Sequence, residues 1–143
     1  MSDSNSPTIS VVRPGQFSTS TSQTSGAQRH AAICRETGVR SGLWGGTFLV
    51  APGARTGIHH HGSQETLVYV LEGESIVEWG DRGEHSVSVR AGDFLHVPAQ
   101  LVHREINPSA DAPFRWVVVR SSSEPIVVNL PEDAWSRNPD ASQ

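Results

Sequence analysis

The sequence predicts an all-β chain. Two observations carry that prediction: apolar or alternating runs of four to eight residues recur from Leu43 onward, and each is closed by a turn signal. The runs are Leu43 to Val50, Thr56 to His61, Thr66 to Leu71, Ser75 to Trp79, Glu84 to Arg90, Phe94 to Val97, His103 to Asn107, Phe114 to Arg120 and Ile126 to Asn129. Between them lie Pro52-Gly53, Gly73, the Gly80 to Gly83 hairpin GDRG, Gly92-Asp93, Pro98 and Asn107-Pro108. Each of these residues either fixes φ or tolerates a turn conformation. So many short strands need their edges covered, and a double-sheet jelly roll does so.

The runs are short, apolar or alternating, with β-branched residues, as strands are. Tyr69, Leu71, Val87, Val89, Phe94, Leu95, Val97, Val117 and Val119 are the expected lining of the barrel. The first part of the chain is different. Positions 18 to 25 read STSTSQTS, seven Ser or Thr in eight, which cannot bury a core face. Residues 1–28 are therefore expected to form a flexible arm, with Ile9, Val11, Val12 and Phe17 available to pair with a partner subunit. Residues 29–130 form the barrel, and 131–143 a C-terminal tail with one short helical turn around Trp135.

Composition removes several function classes. The 143 residues carry a formal charge of −4, and all 11 basic residues are arginine. Without lysine there is neither a Schiff-base amine nor a phosphate-loop lysine. No basic run exists to track a nucleic-acid backbone or a membrane surface, so neither is an expected partner. Cys34 is the single cysteine, which excludes an intrachain disulfide and a multi-cysteine metal site. It reads as a small apolar residue in a subunit contact. The start, MSDSNSPTIS, has neither a charged nor an apolar leader pattern, and a cytoplasmic location is expected.

The chemistry concentrates in GARTGIHHHGSQETLVYVLEG. In an extended strand His59 and His61 share one face and His60 the other. If the chain stays extended, Glu65 joins His59 and His61 by parity. His103, in PAQLVHREIN, begins another strand after the Pro98 corner and is placed to face them. Imidazoles with one carboxylate suit Mn, Fe, Co, Ni, Cu or Zn, with geometry and supply deciding among them. Four protein ligands around a six-coordinate ion leave positions for water or substrate.

These two stretches resemble the paired motifs of the cupin superfamily. Gly53, His59, His61 and Glu65 match the first motif, and Gly92, Pro98, His103 and Asn107 the second, with Gln100 where a glycine is common. The motifs are separated by 18 residues, Glu74 to Ala91, as in small single-domain bacterial cupins. One departure concerns the carboxylate: Gly73 closes the first motif one residue later than usual. Counting back from it puts Thr66 in the place of Glu65 and leaves a three-histidine site, because one residue of register moves a side chain to the other face.

The resemblance implies one divalent metal per chain, held by His59, His61, Glu65 and His103. It implies a homodimer and a small organic substrate, with dioxygenation, decarboxylation or isomerisation as the expected reaction types. A non-catalytic ligand-binding or sensor barrel is the alternative. His85 and His96 read as ordinary strand histidines, although His96 is a distant second to Glu65 as a catalytic base. Trp44, Trp79 and Trp116 line a pocket mouth or a dimer face. Arg55, Arg104 and Arg115 are expected in solvent or paired with acids such as Glu105. An arginine pointing inward would instead favour a carboxylate or phosphate substrate.

Overall fold

A computed structural model describes residues 6–136. Ten strands form two five-stranded antiparallel sheets: β1 Ala27–Ile33, β2 Trp44–Val50, β3 His59–His60, β4 Thr66–Glu72, β5 Glu74–Trp79, β6 His85–Arg90, β7 Phe94–Val97, β8 His103–Ile106, β9 Phe114–Arg120 and β10 Val128–Asn129. The first sheet has the order β1-β2-β9-β4-β7 and the second β10-β3-β8-β5-β6. This is the expected jelly roll, with its core between the sheets.

Alternation decides what is inside. Along β2, Trp44, Phe48 and Val50 are buried; along β4, Thr66, Val68 and Val70; along β9, Phe114, Trp116, Val118 and Arg120. Phe48, Phe114 and Trp116 pack with ring centroids 5.2 to 6.1 Å apart. The Trp116 indole N–H, taken out of water, donates to Ser75 Oγ at 3.0 Å.

Several expected core residues lie on the other face. Val89 and Val97 are buried as expected, and Val87 and Leu95, two residues before them, share their faces with less cover, but Leu71, Phe94 and Val117 are exposed and Tyr69 and Val119 only partly covered on the outer face. The reason is that runs such as WVVV are apolar at every position, so period two has nothing to read. Parity is set instead by Arg120 at the end of β9, whose side chain turns inward. The outer face of the first sheet consequently carries Leu67, Tyr69, Phe94 and Val117, with Tyr69 paired to both Phe94 and Val117.

β1 falls across the boundary expected between arm and barrel. Its sequence AQRHAAI has only small apolar residues before Ile33, so composition gave no strand signal. Its inward residues are Arg29 and Ala31. Ser18 exchanges backbone hydrogen bonds with Ala31 at 2.8 Å each way, and Gln23 holds both the N–H and the C=O of Arg29. Much of the Ser/Thr-rich stretch thus lies along its own chain's first strand. Farther out, Ile9 and Val11 are exposed. Residues 132–136 form turns about Trp135, whose ring lies under the Arg104 guanidinium. The rest of the expected tail, and residues 1–5, lie outside the described residues. Among the described residues no helix is long and apolar enough to cross a membrane.

Candidate metal centre

Strand register brings the histidines together. In the second sheet His59 of β3 is paired with His103 of β8, and His103 with Trp79 of β5. In the first sheet Arg120 of β9 is paired with both Trp44 and Thr66, and Thr66 with Val97. The two rows face each other across one end of the barrel. His59, His61 and His103 are all buried, and their ring centroids are 4.5 to 5.4 Å apart.

All three rings are oriented by backbone carbonyls. Nδ1 lies 2.7 Å from Gly57 O in His59, 2.9 Å from Ile126 O in His61 and 2.8 Å from Leu101 O in His103. A carbonyl only accepts, so each Nδ1 carries a proton and each Nε2 presents its lone pair to the interior in the neutral ring. The ligating atoms lie within 4.8 Å of one another. His59 Nε2 is buried without a hydrogen-bond partner, a state that a buried polar atom rarely adopts unless an ion or water completes it. Burial, the largest effect, lowers the His59 pKa to about 4 and the His61 pKa to about 2, the Arg120 charge adding to the effect at His61. Neutral imidazoles are the form that binds metals, so the donor set fits a divalent transition metal.

A carboxylate adjoins this cluster, that of Glu105, outside the set of mutually close ligand atoms that the three histidines form. Its side chain is 3% exposed, with Oε2 3.0 Å from His103 Nε2 and Oε1 3.6 Å from His59 Nε2. Thr56 Oγ1 donates to Oε1 at 3.0 Å and accepts the Glu105 backbone N–H at 2.9 Å. Burial alone would raise the Glu105 pKa. Positive charge on His59 and His103 when they are protonated, a hydrogen bond with His103 and the Arg29 guanidinium oppose it and hold the group below the usual carboxylate range. The sequence signal for it was available: Glu105 is two residues beyond His103, hence on the same face of β8.

Glu65 is elsewhere. Its side chain is 61% exposed, and Oε1 lies 2.7 Å from His96 Nε2 on the surface. The condition attached to its parity, an extended chain, is not met: Gln64 N–H bonds back to His61 O at 3.1 Å, and Gly62 has φ of 57°, which closes a turn where a side chain would be strained. After that turn Gln64 and Thr66 point inward and Glu65 outward. Thr66, the alternative from counting back, lines the cavity with its Oγ1 unpartnered. Buried Gln64 donates to Ser122 O at 3.0 Å and to Ser122 Oγ at 2.7 Å. Its Oε1 accepts the Ile126 N–H at 3.3 Å, so Gln64 positions the very carbonyl that orients His61.

Other motif residues have structural work. Asn107 Nδ2 donates to Val50 O, Ala51 O and Ala112 O, tying the β8–β9 connection to the end of β2. Gln100 adopts φ of 66°, which explains why glycine suits that position. His60 is half-buried outside the cluster and accepts the Gly62 N–H. His85 stacks beside Trp79. Trp44 and Trp116 are buried, and so is Cys34. Arg104 and Arg115 pair with Glu78 and Glu72 respectively, and Arg55 is exposed.

Among the described residues the inward arginines are two that composition did not single out, Arg29 and Arg120. Arg29 donates to Thr24 Oγ1 at 2.8 Å and lies over the Phe48 ring; Arg120 lies over the Trp44 ring with its NH2 group 3.5 Å from His61 Nε2. Arg29 Nε and Arg120 Nε and NH1 have no hydrogen-bond partner. Burial, chiefly, lowers their pKa values to about 10 and about 9, so both remain cationic at neutral pH. Together with His61, His103, Glu105 and Thr66 they border one cavity, closed by Phe48, Val68, Val97, Trp116 and Val118.

Convergent imidazole nitrogens between the sheets of a jelly roll make a β-barrel with a candidate metal site. The chain belongs to the cupin-domain family, whose model matches residues 46–120, over half of its length. Among solved structures it is similar to a recombinant oxalate oxidase in complex with glycolate, at 27% identity and TM-score 0.64, covering 78% of this chain and 58% of that one. The chain thus spans little more than half the length of that protein. A Bacillus subtilis oxalate decarboxylase mutant shares the fold at 20% identity and TM-score 0.66, over 77% of this chain and 30% of that one. The polyketide cyclase RemF from Streptomyces resistomycificus shares it at 22% identity and TM-score 0.68, over 94% and 97% of the two chains. No curated protein matches by sequence.

Proposed function

We propose that this cupin is a metal-dependent enzyme acting on a small organic oxyanion, a carboxylate or enolate. The observation that supports this reading is a cluster of three metal-ready imidazoles, two of which, His61 and His103, line one cavity with two incompletely paired guanidiniums. A bound divalent metal would supply Lewis-acid stabilisation of negative charge on a substrate oxygen. His59, His61 and His103 would hold it, their Nδ1–H bonds fixing ring orientation. Arg120 and Arg29 outnumber Glu105 in fixed charge, and buried charge requires compensation. An anion beside the metal supplies it and satisfies the open N–H groups. Val68, Val97, Phe48, Trp116 and Val118 exclude water, which strengthens these interactions. The resemblance to an oxalate oxidase bound to glycolate supports short carboxylates as the first candidate substrates and oxidation as the first reaction type to test.

Tag-free protein loaded separately with Mn, Fe, Co, Ni, Cu or Zn tests the reading on glycolate, oxalate and related short acids, by oxygen uptake and carbon dioxide release. Metal-dependent turnover of one acid is expected. Metal binding without turnover, but with a raised melting temperature in the presence of an acid, would favour a ligand-binding barrel instead. We also propose a homodimer joined through the outer face of the first sheet, where Leu67, Tyr69, Phe94 and Val117 form an apolar patch. Light scattering should report twice the chain mass, and Phe94→Asp should lower it.

A further inference from the structure

We propose that Glu105, from β8, is the fourth protein ligand of the metal and takes the part that motif spacing assigns to Glu65. The inference rests on the reading of His59, His61 and His103 as a metal site. It follows from donor geometry. With Nδ1 of His103 committed to Leu101 O, Nε2 of the neutral ring is an acceptor, yet it faces a carboxylate oxygen 3.0 Å away. A neutral ring leaves two lone-pair atoms facing each other there, which either a proton on Nε2 or a metal ion would bridge; the unpartnered His59 Nε2, 3.6 Å from the same carboxylate, favours the metal ion. Metal–nitrogen and metal–oxygen bonds are about 2.0 to 2.2 Å. Neighbouring ligand atoms around an octahedral ion are then about 3.0 Å apart, and about 3.4 Å around a tetrahedral one. The contacts from Glu105 to His103 and His59, at 3.0 and 3.6 Å, match ligand edges of such a polyhedron.

The backbone and Thr56 prepare this role. Period two places His103 and Glu105 on one face of β8, so a single strand delivers both a nitrogen and an oxygen donor. Thr56 Oγ1 fixes Oε1 and is itself fixed by the Glu105 N–H, which sets the carboxylate plane and leaves Oε2 toward His103. Glu65 has no route to this position, because the turn after His61 sends its side chain to His96 on the surface. The carboxylate donor has changed strands while the imidazoles have kept theirs.

The test compares Co(II) binding by tag-free wild-type protein, Glu105→Gln and Glu65→Gln, read by competition with a chelator and by the visible spectrum of bound cobalt. Wild type and Glu65→Gln should bind one ion with the same spectrum. Glu105→Gln, which keeps the shape and the Thr56 hydrogen bond, should bind at least about 100-fold more weakly, beyond the roughly 10- to 100-fold typical of residues that only support a ligand, and with an altered spectrum. Wild-type affinity and spectrum in Glu105→Gln would overturn the assignment while leaving the three-histidine site standing. No binding by wild type would overturn both. Should Glu105→Gln fail to fold, a crystal structure of the metal-loaded wild type decides: a Glu105 oxygen at about 2.0 to 2.2 Å from the ion supports the proposal, and one beyond 3 Å overturns it.

Discussion

Two histidine–glutamate pairs of nearly equal length sit in opposite surroundings. His96 and Glu65 meet at 2.7 Å on the surface with about six-tenths of each side chain exposed, whereas His103 and Glu105 meet at 3.0 Å with 3% exposed. Water solvates the first pair, and either partner can lose the other at little cost. The second pair lies among His59, His61 and two guanidiniums, where removing one charge strands the rest. Distance alone therefore does not tell a surface ion pair from a metal-binding pair. Burial, the fixed Nδ1 protons and the surrounding charge do.

The largest expected effect of breaking the interior arrangement is at His61. His61→Ala removes a nitrogen donor and should weaken divalent-metal binding by more than about 100-fold, measured by equilibrium dialysis, since losing a mere second-layer partner already costs about 10- to 100-fold. Acid should separate the two regions next. His59 and His61 have folded pKa values of about 4 and about 2, below the unfolded value of 6.5. The unfolded chain binds protons first, so their stability contribution is full above pH 6.5 and is lost as pH falls toward those folded values. Metal-free protein should lose up to about 1.4 kcal/mol per pH unit for each imidazole in that interval, as urea midpoints at pH 7, 6 and 5 would show. A flat profile would contradict the buried neutral assignment.

A smaller change is expected at Arg120. Arg120→Met should retain the metal but weaken binding of a short carboxylate by roughly 10- to 100-fold, the worth of a charged hydrogen bond of about 1.5 to 3 kcal/mol. Calorimetry on metal-loaded protein checks it. The smallest effect belongs to the surface pair: a double-mutant cycle on Glu65→Ala and His96→Ala should give a coupling of about 1 kcal/mol or less.

Much of this architecture was legible in the residues. Turn-forming glycines and prolines delimited nine of the ten strands, and Gly73 shows why they do. At its φ of 82° an added Cβ would come 2.5 Å from Pro113 O, so the β4–β5 corner requires glycine. β1 was missed because its inward residues are an arginine and an alanine, and β9 was assigned the wrong face because WVVV has no period. His59, His61 and His103 were brought together because β3 and β8 are regular and the chain stays extended through His61, one residue beyond β3. Glu65 was misplaced for the complementary reason, a turn interrupting the parity count at Gly62. Glu105 was legible by period two from His103, but arginine pairing offered it a simpler surface role. Arg29 and Arg120 carry no local signature, since only the packing of both sheets reveals that their side chains enter the barrel.

The central claim is that the buried imidazoles of β3 and β8, with His61 just beyond β3, share one cation. Metal analysis of tag-free wild-type protein, after loading and exhaustive dialysis, tests it most directly. One equivalent of a divalent transition metal per chain, lost in His103→Ala, is the predicted result. Protein that retains none of the six candidate metals, or a His103→Ala variant that keeps a full equivalent, would contradict it.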